Sequence, residues 1–227
     1  MVLNNGLGQE IQAVIFDLDG VLVDTESMQF GIWQDMVRPY RISLDQSDYL
    51  AMVGIDAMQT AEYVVGRCGS RKLPLEFVNE HTLRLHAALG NGVTTFPGAA
   101  GLARRLTQAG YRLGLATNSS LAYTAIVLQV TGLKDYFPVF VTRDQVQSGK
   151  PAPDVYLAAA EGLNCHPQVC LAIEDSLTGL QAALSAGMRT VLISREDPQD
   201  GLKPWMRSNS LEDLTARLFG KSIQEFV

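Results

Sequence analysis

Residues 13–26 read AVIFDLDGVLVDTE and place two carboxylates directly after a short apolar run. The residues VIF are typical of a buried strand, and Asp17 and Asp19 follow them two positions apart. Burying an unpaired carboxylate costs several kcal/mol, so acids at the edge of a core need a partner. The sequence therefore predicts a site at the end of this strand that compensates the negative charge.

The chain after residue 97 alternates between short apolar strands and helices. Strands are predicted in YRLGLAT, FPVFVT, VCLAIED and TVLIS, and helices at residues 97–110, 119–132, 152–162 and 176–187. Strands separated by helices form right-handed crossovers and a parallel sheet covered on both faces. We therefore predict an α/β fold, with a doubly wound, Rossmann-like parallel sheet built from residues 1–24 and 93–227.

Residues 25–92 contain no convincing strand and are predicted to form a small all-helical insertion after the first strand. Two sets of residues recur at helical spacing and are expected to be core rather than cofactor ligands. The first set is Met58, Ala61, Val65 and Cys68, and the second is Leu75, Val78, Thr82, Leu85 and Leu89.

Polar side chains follow several predicted strands. Ligands of a doubly wound sheet bind beyond the carboxyl ends of its strands, so we expect these side chains to meet at one edge. They supply carboxylates, hydroxyl and amide donors, and one ammonium. They are Asp17 and Asp19, then Thr117, Asn118 and Ser119, then Glu174 and Asp175, and finally Lys150 in the loop SGKPAPD.

These groups together suit Mg²⁺ and a phosphate. Mg²⁺ prefers a few carboxylates with water and phosphate oxygens, and it would neutralise Asp17 and Asp175. One carboxylate could then attack phosphorus while another carries a proton for the leaving group. Lys150, Thr117 and backbone N–H groups would hold the phosphoryl oxygens as their charge redistributes.

Four segments, DLDGVLVDTE, ATNSS, SGKPAPDVY and AIEDSLTGLQAALSAGM, resemble the four signature motifs of the haloacid dehalogenase superfamily. The similarity is to the phosphatases and phosphoglucomutases whose helical cap is inserted just after the first motif. It covers about residues 12–193 and includes the position of the insertion at residues 25–92. The resemblance implies a Mg²⁺-dependent phosphatase that hydrolyses a small phosphorylated metabolite, such as a sugar phosphate, through an aspartyl-phosphate.

The resemblance also implies a role for each polar residue. Asp17 would be the nucleophile, and Asp19 would be the general acid and base. Thr117, Asn118 and Lys150 would bind the phosphoryl group, with Lys150 also bridging it to Asp17. The implied Mg²⁺ ligands are Asp17, the backbone carbonyl of Asp19, Asp175, and Glu174 either directly or as a group behind the ligands.

Other interpretations stay open. Thr117, Asn118 and Ser119 are also residue types that cap helices, and we expect one of them to do so. A phosphoryl-transferring mutase similar to β-phosphoglucomutase is the nearest functional alternative. Gln29 and Ala57 stand where the mutase pattern has a histidine and an arginine, and this favours the phosphatase.

The alternative outside the enzymes is a module that binds a phosphorylated metabolite without catalysing a reaction. Loss of Asp17, Asp19, Lys150 or Asp175 would favour it, and all four residues are present. Within the insertion, Gly54, Asp56 and Gln59 are candidate contacts to the substrate, although surface solvation explains the last two equally well.

The composition and net charge argue against some classes of binding partner. The chain has 227 residues, 47% of them hydrophobic, with a net charge of −6 and a pI near 5.0. An acidic protein is a poor general partner for nucleic acid or an anionic membrane. Three cysteines without a C-x-x-C pair, no signal-like start and no long apolar run predict a cytoplasmic protein. The oligomeric state cannot be read from the sequence.

Overall fold

The computed structural model describes residues 10–52, 57–194 and 201–220. Two compact units make up the chain, one of residues 24–93 and one of the residues on either side of that segment. We call the first the helical unit and the second the α/β unit. Gly54 and Asp56, two of the candidate substrate contacts, lie outside the described residues.

A six-stranded parallel sheet forms the centre of the α/β unit, and the described residues contain eight strands in all. The strands are β1 (Ala13–Phe16), β2 (Val23–Asp24), β3 (Thr94–Thr95), β4 (Arg112–Ala116), β5 (Val139–Val141), β6 (Cys170–Glu174), β7 (Arg189–Ile193) and β8 (Met206–Ser208). Six of them make one parallel sheet in the order β5-β4-β1-β6-β7-β8, and β2 pairs with β3 where the chain leaves and re-enters the unit. The edge strand β8 has no counterpart in the sequence prediction.

Helices follow most of the strands. They are α1 (Glu26–Val37), α2 (Gln46–Met52), α3 (Ala57–Cys68), α4 (Pro74–Leu89), α5 (Ala99–Gln108), α6 (Leu121–Val130), α7 (Asp154–Gly162), α8 (Leu177–Ser185) and α9 (Leu211–Phe219). The first four belong to the helical unit and the other five to the α/β unit. The predicted fold class, a doubly wound parallel sheet, is confirmed.

The strand β1 lies in the middle of the sheet, and all four of its residues are completely buried. A strand covered on both faces reads as a continuous apolar run, which explains why AVIF has no polar alternation. In the sheet register, Phe16 pairs with Leu115 of β4 and with Ile173 of β6. Asp17 therefore follows β1 at the level of Glu174 in β6, and Thr117 comes one residue further along β4.

The helical unit has its own core, with Trp33, Val37, Leu44 and Phe77 among its buried residues. The predicted buried stripe of α3 was only partly correct. Its buried residues are Thr60, Ala61 and Val64, whereas Met58 is 39% exposed and Val65 and Cys68 are half-buried. Apolar residues occur on more than one side of α3, so its neighbours α1 and α4 decide which side is covered.

The stripe predicted for α4 was shifted by about one position at its N-terminal end. Leu85 and Leu89 are buried as expected, but Phe77 and His81 take the places assigned to Val78 and Thr82. The other expected member of the stripe, Leu75, is exposed. The reason is an aromatic contact, since the His81 ring stacks on Trp33 of α1 with a centroid separation of 4.2 Å.

Across the described residues, no helix has both the length and the apolar character needed to cross a bilayer.

Candidate active site

The carboxyl ends of β1, β4 and β6 bring together the side chains that the sequence places far apart. Asp17 follows β1, Thr117 follows β4, and Glu174 is the last residue of β6. All three are buried, and the Asp17 backbone N–H donates to the carbonyl of Ile173 at 2.9 Å. Parallel strands end at one edge of the sheet, which is where ligands of this architecture bind.

Lys150 enters this edge from the loop before α7. Its ammonium nitrogen lies 2.5 Å from Asp17 Oδ1 and 2.5 Å from Glu174 Oε1, and its side chain is only 4% exposed. The backbone of Lys150 is held by Asn118, whose Oδ1 accepts the Lys150 N–H at 2.8 Å and whose Nδ2 donates to its carbonyl at 3.2 Å. Asn118 thus fixes the loop that carries the lysine.

Glu174 is completely buried and accepts four hydrogen bonds. Its Oε1 accepts from Lys150 at 2.5 Å and from the Tyr156 hydroxyl at 2.6 Å. Its Oε2 accepts from the Ser176 hydroxyl and the Asp175 backbone N–H, both at 3.2 Å. Both carboxylate oxygens are therefore engaged by the protein itself, and Glu174 links Lys150 to the start of α8.

Three acids, Asp17, Glu174 and Asp175, form a group that fits a hard cation. One carboxylate oxygen from each lies within 4.8 Å of the others. Three carboxylates against the single ammonium of Lys150 leave a formal charge of −2 when all are ionised, which one divalent cation would balance. Oxygen donors with this charge suit Mg²⁺. No carboxylate oxygen of Asp19 belongs to this group.

Gly20 makes room for this cluster. Its backbone has a φ of +84°, and a Cβ at this position would overlap the carboxylate of Asp175. Glycine adopts this conformation without a steric penalty and leaves the space open. The residue after Asp19 in the first motif is therefore constrained by the acid that follows β6.

Charges and burial act together on the ionisable groups. Burial raises the pKa of Asp17 well above its usual range; the Lys150 ammonium opposes this shift, and the negative charges of Glu174 and Asp175 add to it. For Lys150, burial lowers the pKa, but the charges of Asp17 and Glu174 outweigh it and raise the pKa above its ordinary value. A cation beside Asp17 would favour its ionised form.

Asp19 lies beside the N-terminal end of α6. Its Oδ2 accepts a hydrogen bond from the Ser119 hydroxyl at 2.7 Å, and its Oδ1 accepts one from the Tyr123 hydroxyl at 2.5 Å. Nearby, the Thr117 hydroxyl oxygen accepts the Ser119 backbone N–H at 3.0 Å. Ser119 thus contacts Asp19, Asn118 contacts the backbone of Lys150, and Thr117 contacts the backbone of Ser119.

A serine at the start of SSLAYTAIVLQVTG caps α6 as the sequence suggests, but it is the second serine and none of the three residues Thr117, Asn118 and Ser119. The N-cap is Ser120, whose hydroxyl oxygen accepts the Tyr123 backbone N–H at 3.3 Å. The three residues before it are already occupied by Asp19, Lys150 and each other. At α8 the cap is Ser176, which accepts the Gly179 N–H at 3.1 Å while its own hydroxyl donates to Glu174.

Two tyrosines in the site were not predicted from the sequence. Tyr156 donates to Glu174, and Tyr123 donates to Asp19. Both sit on apolar helix faces, where a tyrosine is normally read as core. Tyr156 does lie within the quoted motif SGKPAPDVY, so its place in that motif was an available signal, whereas Tyr123 had none.

The sequence profile of the haloacid dehalogenase-like hydrolases matches residues 14–193, which include every residue of this site. The chain belongs to this family. The resemblance of the four motifs is thereby confirmed, and so is the prediction of a hydrolase of the phosphatase kind.

Relatives within the haloacid dehalogenase-like family include both hydrolases and a mutase. Hexitol phosphatase A of Escherichia coli is 31% identical over 79% of this chain and 82% of its own length. β-Phosphoglucomutase of Bacillus subtilis is 29% identical over 95% of this chain and 97% of its own. The crystal structure of CbbY from Rhodobacter sphaeroides in complex with phosphate has a TM-score of 0.75 and 27% identity, covering 90% of this chain and 96% of that one.

Proposed function

We propose that this protein is a Mg²⁺-dependent phosphatase that hydrolyses a small phosphorylated metabolite through an aspartyl-phosphate on Asp17. The observation that carries the proposal is the buried contact of Lys150 with Asp17 and Glu174 at the end of β1, beside Asp175. A structural salt bridge needs one acid for one base. A surplus of carboxylates at a ligand-binding edge of the sheet instead favours a cation and an anionic substrate.

In the first step, a carboxylate oxygen of Asp17 attacks phosphorus, and the bond from phosphorus to the leaving oxygen breaks. Asp19 gives a proton to that oxygen, so the product leaves as a neutral alcohol. Lys150 lies 2.5 Å from Asp17 Oδ1, where its charge stabilises the phosphoryl oxygens. The Thr117 hydroxyl is the proposed second contact to the phosphoryl group.

In the second step, water attacks the phosphorus of the aspartyl-phosphate. Asp19, now ionised, takes the proton of that water, and the bond between phosphorus and the Asp17 oxygen breaks. Phosphate is released, Asp17 returns as a carboxylate and Asp19 is again protonated. The same side chain acts as acid and then as base, which returns the enzyme to its starting state without another proton donor.

Asp17, Asp175 and the backbone carbonyl of Asp19 are the proposed Mg²⁺ ligands. Bound Mg²⁺ would supply charge stabilisation to the phosphoryl oxygens and would offset the repulsion between the acids. Glu174 is better suited to hold Lys150 than to ligate the metal, because its two oxygens already accept four hydrogen bonds. We therefore propose that Glu174 stands behind the metal ligands.

A phosphorylated sugar or sugar alcohol is the proposed class of substrate. The relatives support it, since one is named a hexitol phosphatase and another a β-phosphoglucomutase. The helical unit, residues 24–93, is proposed to act as the cap that selects the organic part of the substrate. A cytoplasmic location is part of this proposal, and the three cysteines form no disulfide among the described residues.

The test is phosphate release from a panel of sugar phosphates, with Mg²⁺ and with a chelator in its place. We expect hydrolysis that depends on Mg²⁺ and that Asp17→Asn abolishes while far-UV circular dichroism and the thermal midpoint stay close to wild type. Asparagine keeps the shape of the side chain but cannot act as the nucleophile. Substantial turnover by Asp17→Asn, with deamidation excluded by mass spectrometry, would sink the assignment.

A further inference from the structure

The Asp19 carboxylate is held by two hydroxyl groups that come from the same short segment. Ser119 donates to Oδ2 at 2.7 Å and Tyr123 donates to Oδ1 at 2.5 Å, so each carboxylate oxygen has its own donor. Two donors on opposite oxygens fix the rotation of a carboxylate about its last bond, which is otherwise a broad torsion. The plane of the Asp19 carboxylate is therefore set by the N-terminal turn of α6.

The Tyr123 hydroxyl is well placed to do this because its own helix end is firmly anchored. Ser120 accepts the Tyr123 backbone N–H, and the Leu121 N–H donates to Asp144 Oδ2 at 2.9 Å. The Ser119 carbonyl accepts the Arg143 N–H at 3.1 Å. The side chain of Tyr123 is 5% exposed, so packing as well as hydrogen bonding fixes its ring.

We propose that Tyr123 is a positioning residue for the acid and base Asp19. It orients the carboxylate for the proton transfer that accompanies departure of the leaving group. The inference rests on the phosphatase function proposed above. Each carboxylate oxygen can accept two hydrogen bonds, so the hydroxyl bonds do not exhaust the capacity of Asp19 to carry the transferred proton.

A purely structural role would give a different pattern of loss. If Tyr123 only stabilises α6, its loss lowers activity for every substrate alike. If Tyr123 acts through Asp19, the loss of activity is larger for substrates whose leaving group is more basic, because such a group depends more on receiving a proton. 4-Nitrophenolate leaves as a stable anion, whereas phenolate is a stronger base and gains more from general-acid help. The two aryl phosphates have similar size, so they form a matched pair of probes.

The experiment measures kcat/KM for both aryl phosphates at saturating Mg²⁺, because this ratio reports the steps up to departure of the leaving group. We expect Tyr123→Phe to lower kcat/KM for phenyl phosphate by about tenfold, because it removes one hydrogen bond to a charged group. The value of kcat/KM for 4-nitrophenyl phosphate should change much less. Asp19→Asn should show the same selectivity with a larger loss, on the order of 10²-fold or more. Tyr136→Phe, in the 3₁₀-helix Lys134–Tyr136, is the matched control and should behave as wild type.

A double variant shows whether Tyr123 acts through Asp19 or affects activity independently of Asp19. Adding Tyr123→Phe to Asp19→Asn should cause no further loss, because the group that Tyr123 positions is already gone. Ser119→Ala removes the other donor and should reproduce the selective loss, which keeps the proposal testable if Tyr123→Phe folds poorly. Equal losses for both phosphates, or additive losses in the double variant, would overturn the role of Tyr123. An active Asp17→Asn would instead overturn the proposed function itself.

Discussion

At the scale of single residues, Glu174 and Asp175 are neighbours in the chain but differ in burial and in surroundings. Glu174 is completely buried and is bonded to Lys150, Tyr156 and Ser176. Asp175 is half-buried and lies against Gly20, with an oxygen close to those of the other acids. This contrast supports the proposal that Asp175 binds the metal and that Glu174 orients Lys150.

Substitution of the two acids should therefore have separable effects. We expect Asp175→Ala to raise the Mg²⁺ concentration for half-maximal activity by roughly 10–100-fold or more, because it removes a proposed ligand. Glu174→Gln should lower kcat by roughly 10–100-fold while leaving the Mg²⁺ dependence close to wild type, since Lys150 loses a charged partner. The measurement is a Mg²⁺ titration of phosphate release for both variants.

The alternative for this pair is a simple stabilisation of the N-terminus of α8, where negative charge is favourable. In that case Asp175→Ala would lower the free energy of unfolding by about 0.5–2 kcal/mol and leave the Mg²⁺ titration unchanged. A thermal midpoint measured beside each titration distinguishes the two results. An unstable Asp175→Ala variant with normal metal dependence would remove Asp175 from the metal site.

At the scale of elements, α8 approaches the site so closely that its first turn needs a glycine. A Cβ on Gly179 would overlap the carboxylate of Glu174. A helical Gly→Ala change normally stabilises by roughly 0.5–1 kcal/mol, because alanine has less freedom to lose on folding. At Gly179 we expect the opposite effect on stability, because the added Cβ would overlap Glu174. The glycine is therefore required by the position of Glu174.

We predict that Gly179→Ala lowers the free energy of unfolding by about 1–3 kcal/mol, the usual cost of overpacking, and lowers kcat because Glu174 moves away from Lys150. Gly101 of α5 is the matched control, since a Cβ there meets no atom within 4 Å. Gly101→Ala should be neutral or stabilising. Urea denaturation of both variants tests the prediction, and a stable, fully active Gly179→Ala would contradict it.

Within the helical unit, α1 and α4 are joined by the buried ring of His81. The ring stacks on Trp33, and its Nε2 lies 3.3 Å from the carbonyl oxygen of Gln29. Burial lowers the pKa of His81 to about 4, whereas an unfolded histidine has a pKa of about 6.5. Between these values the unfolded chain binds a proton that the folded chain does not.

His81 should therefore contribute full stability above its unfolded pKa and lose it as the pH falls. The expected loss between pH 7 and pH 5 is roughly 2 kcal/mol. Comparison with His81→Phe isolates this effect, because phenylalanine can keep a ring against Trp33 and cannot titrate. The free energy of unfolding from chemical denaturation should change less with pH in the variant. Identical pH dependence in both proteins would show that His81 is not the titrating group.

At the scale of the whole molecule, the open question of function is whether the phosphoryl group goes to water or to a second hydroxyl. The B. subtilis mutase shares 29% identity over nearly the full length, so the overall fold does not separate the two activities. The two residues that favour the phosphatase over the mutase in our sequence comparison, Gln29 and Ala57, lie in the helical unit. Gln29 is half-buried in α1, and Ala57 is exposed at the start of α3.

We expect the protein to release phosphate from a monophosphate without a bisphosphate activator. Gln29 and Ala57 stand where the mutase pattern has a histidine and an arginine, so neither basic side chain of that pattern is present at these positions. The measurement compares free phosphate with glucose 6-phosphate formed from β-glucose 1-phosphate. Efficient isomerisation with little free phosphate would overturn the phosphatase assignment in favour of the mutase. The same assay on Asp17→Asn is the control for contaminating activity.

The sequence by itself determined the architecture of the α/β unit. Apolar runs such as AVIF and CLAIE set the buried parallel strands, and their polar ends set the edge where Asp17, Lys150 and Glu174 meet. These are local signals, because strand length, burial on both faces and the alternation with helices can all be read within a few residues. The motif carboxylates were identifiable for the same reason.

Only the tertiary structure decided which faces are covered and how the site is held. The buried sides of α3 and α4 depend on their helical neighbours, and β8 depends on the edge of β7 that it pairs with. Tyr123 and Asp19 are 104 positions apart in the chain, and nothing in the pattern around either residue marks the other as its partner. Hydrogen bonds between distant residues depend on how packed elements place two side chains, and one sequence does not encode that placement locally.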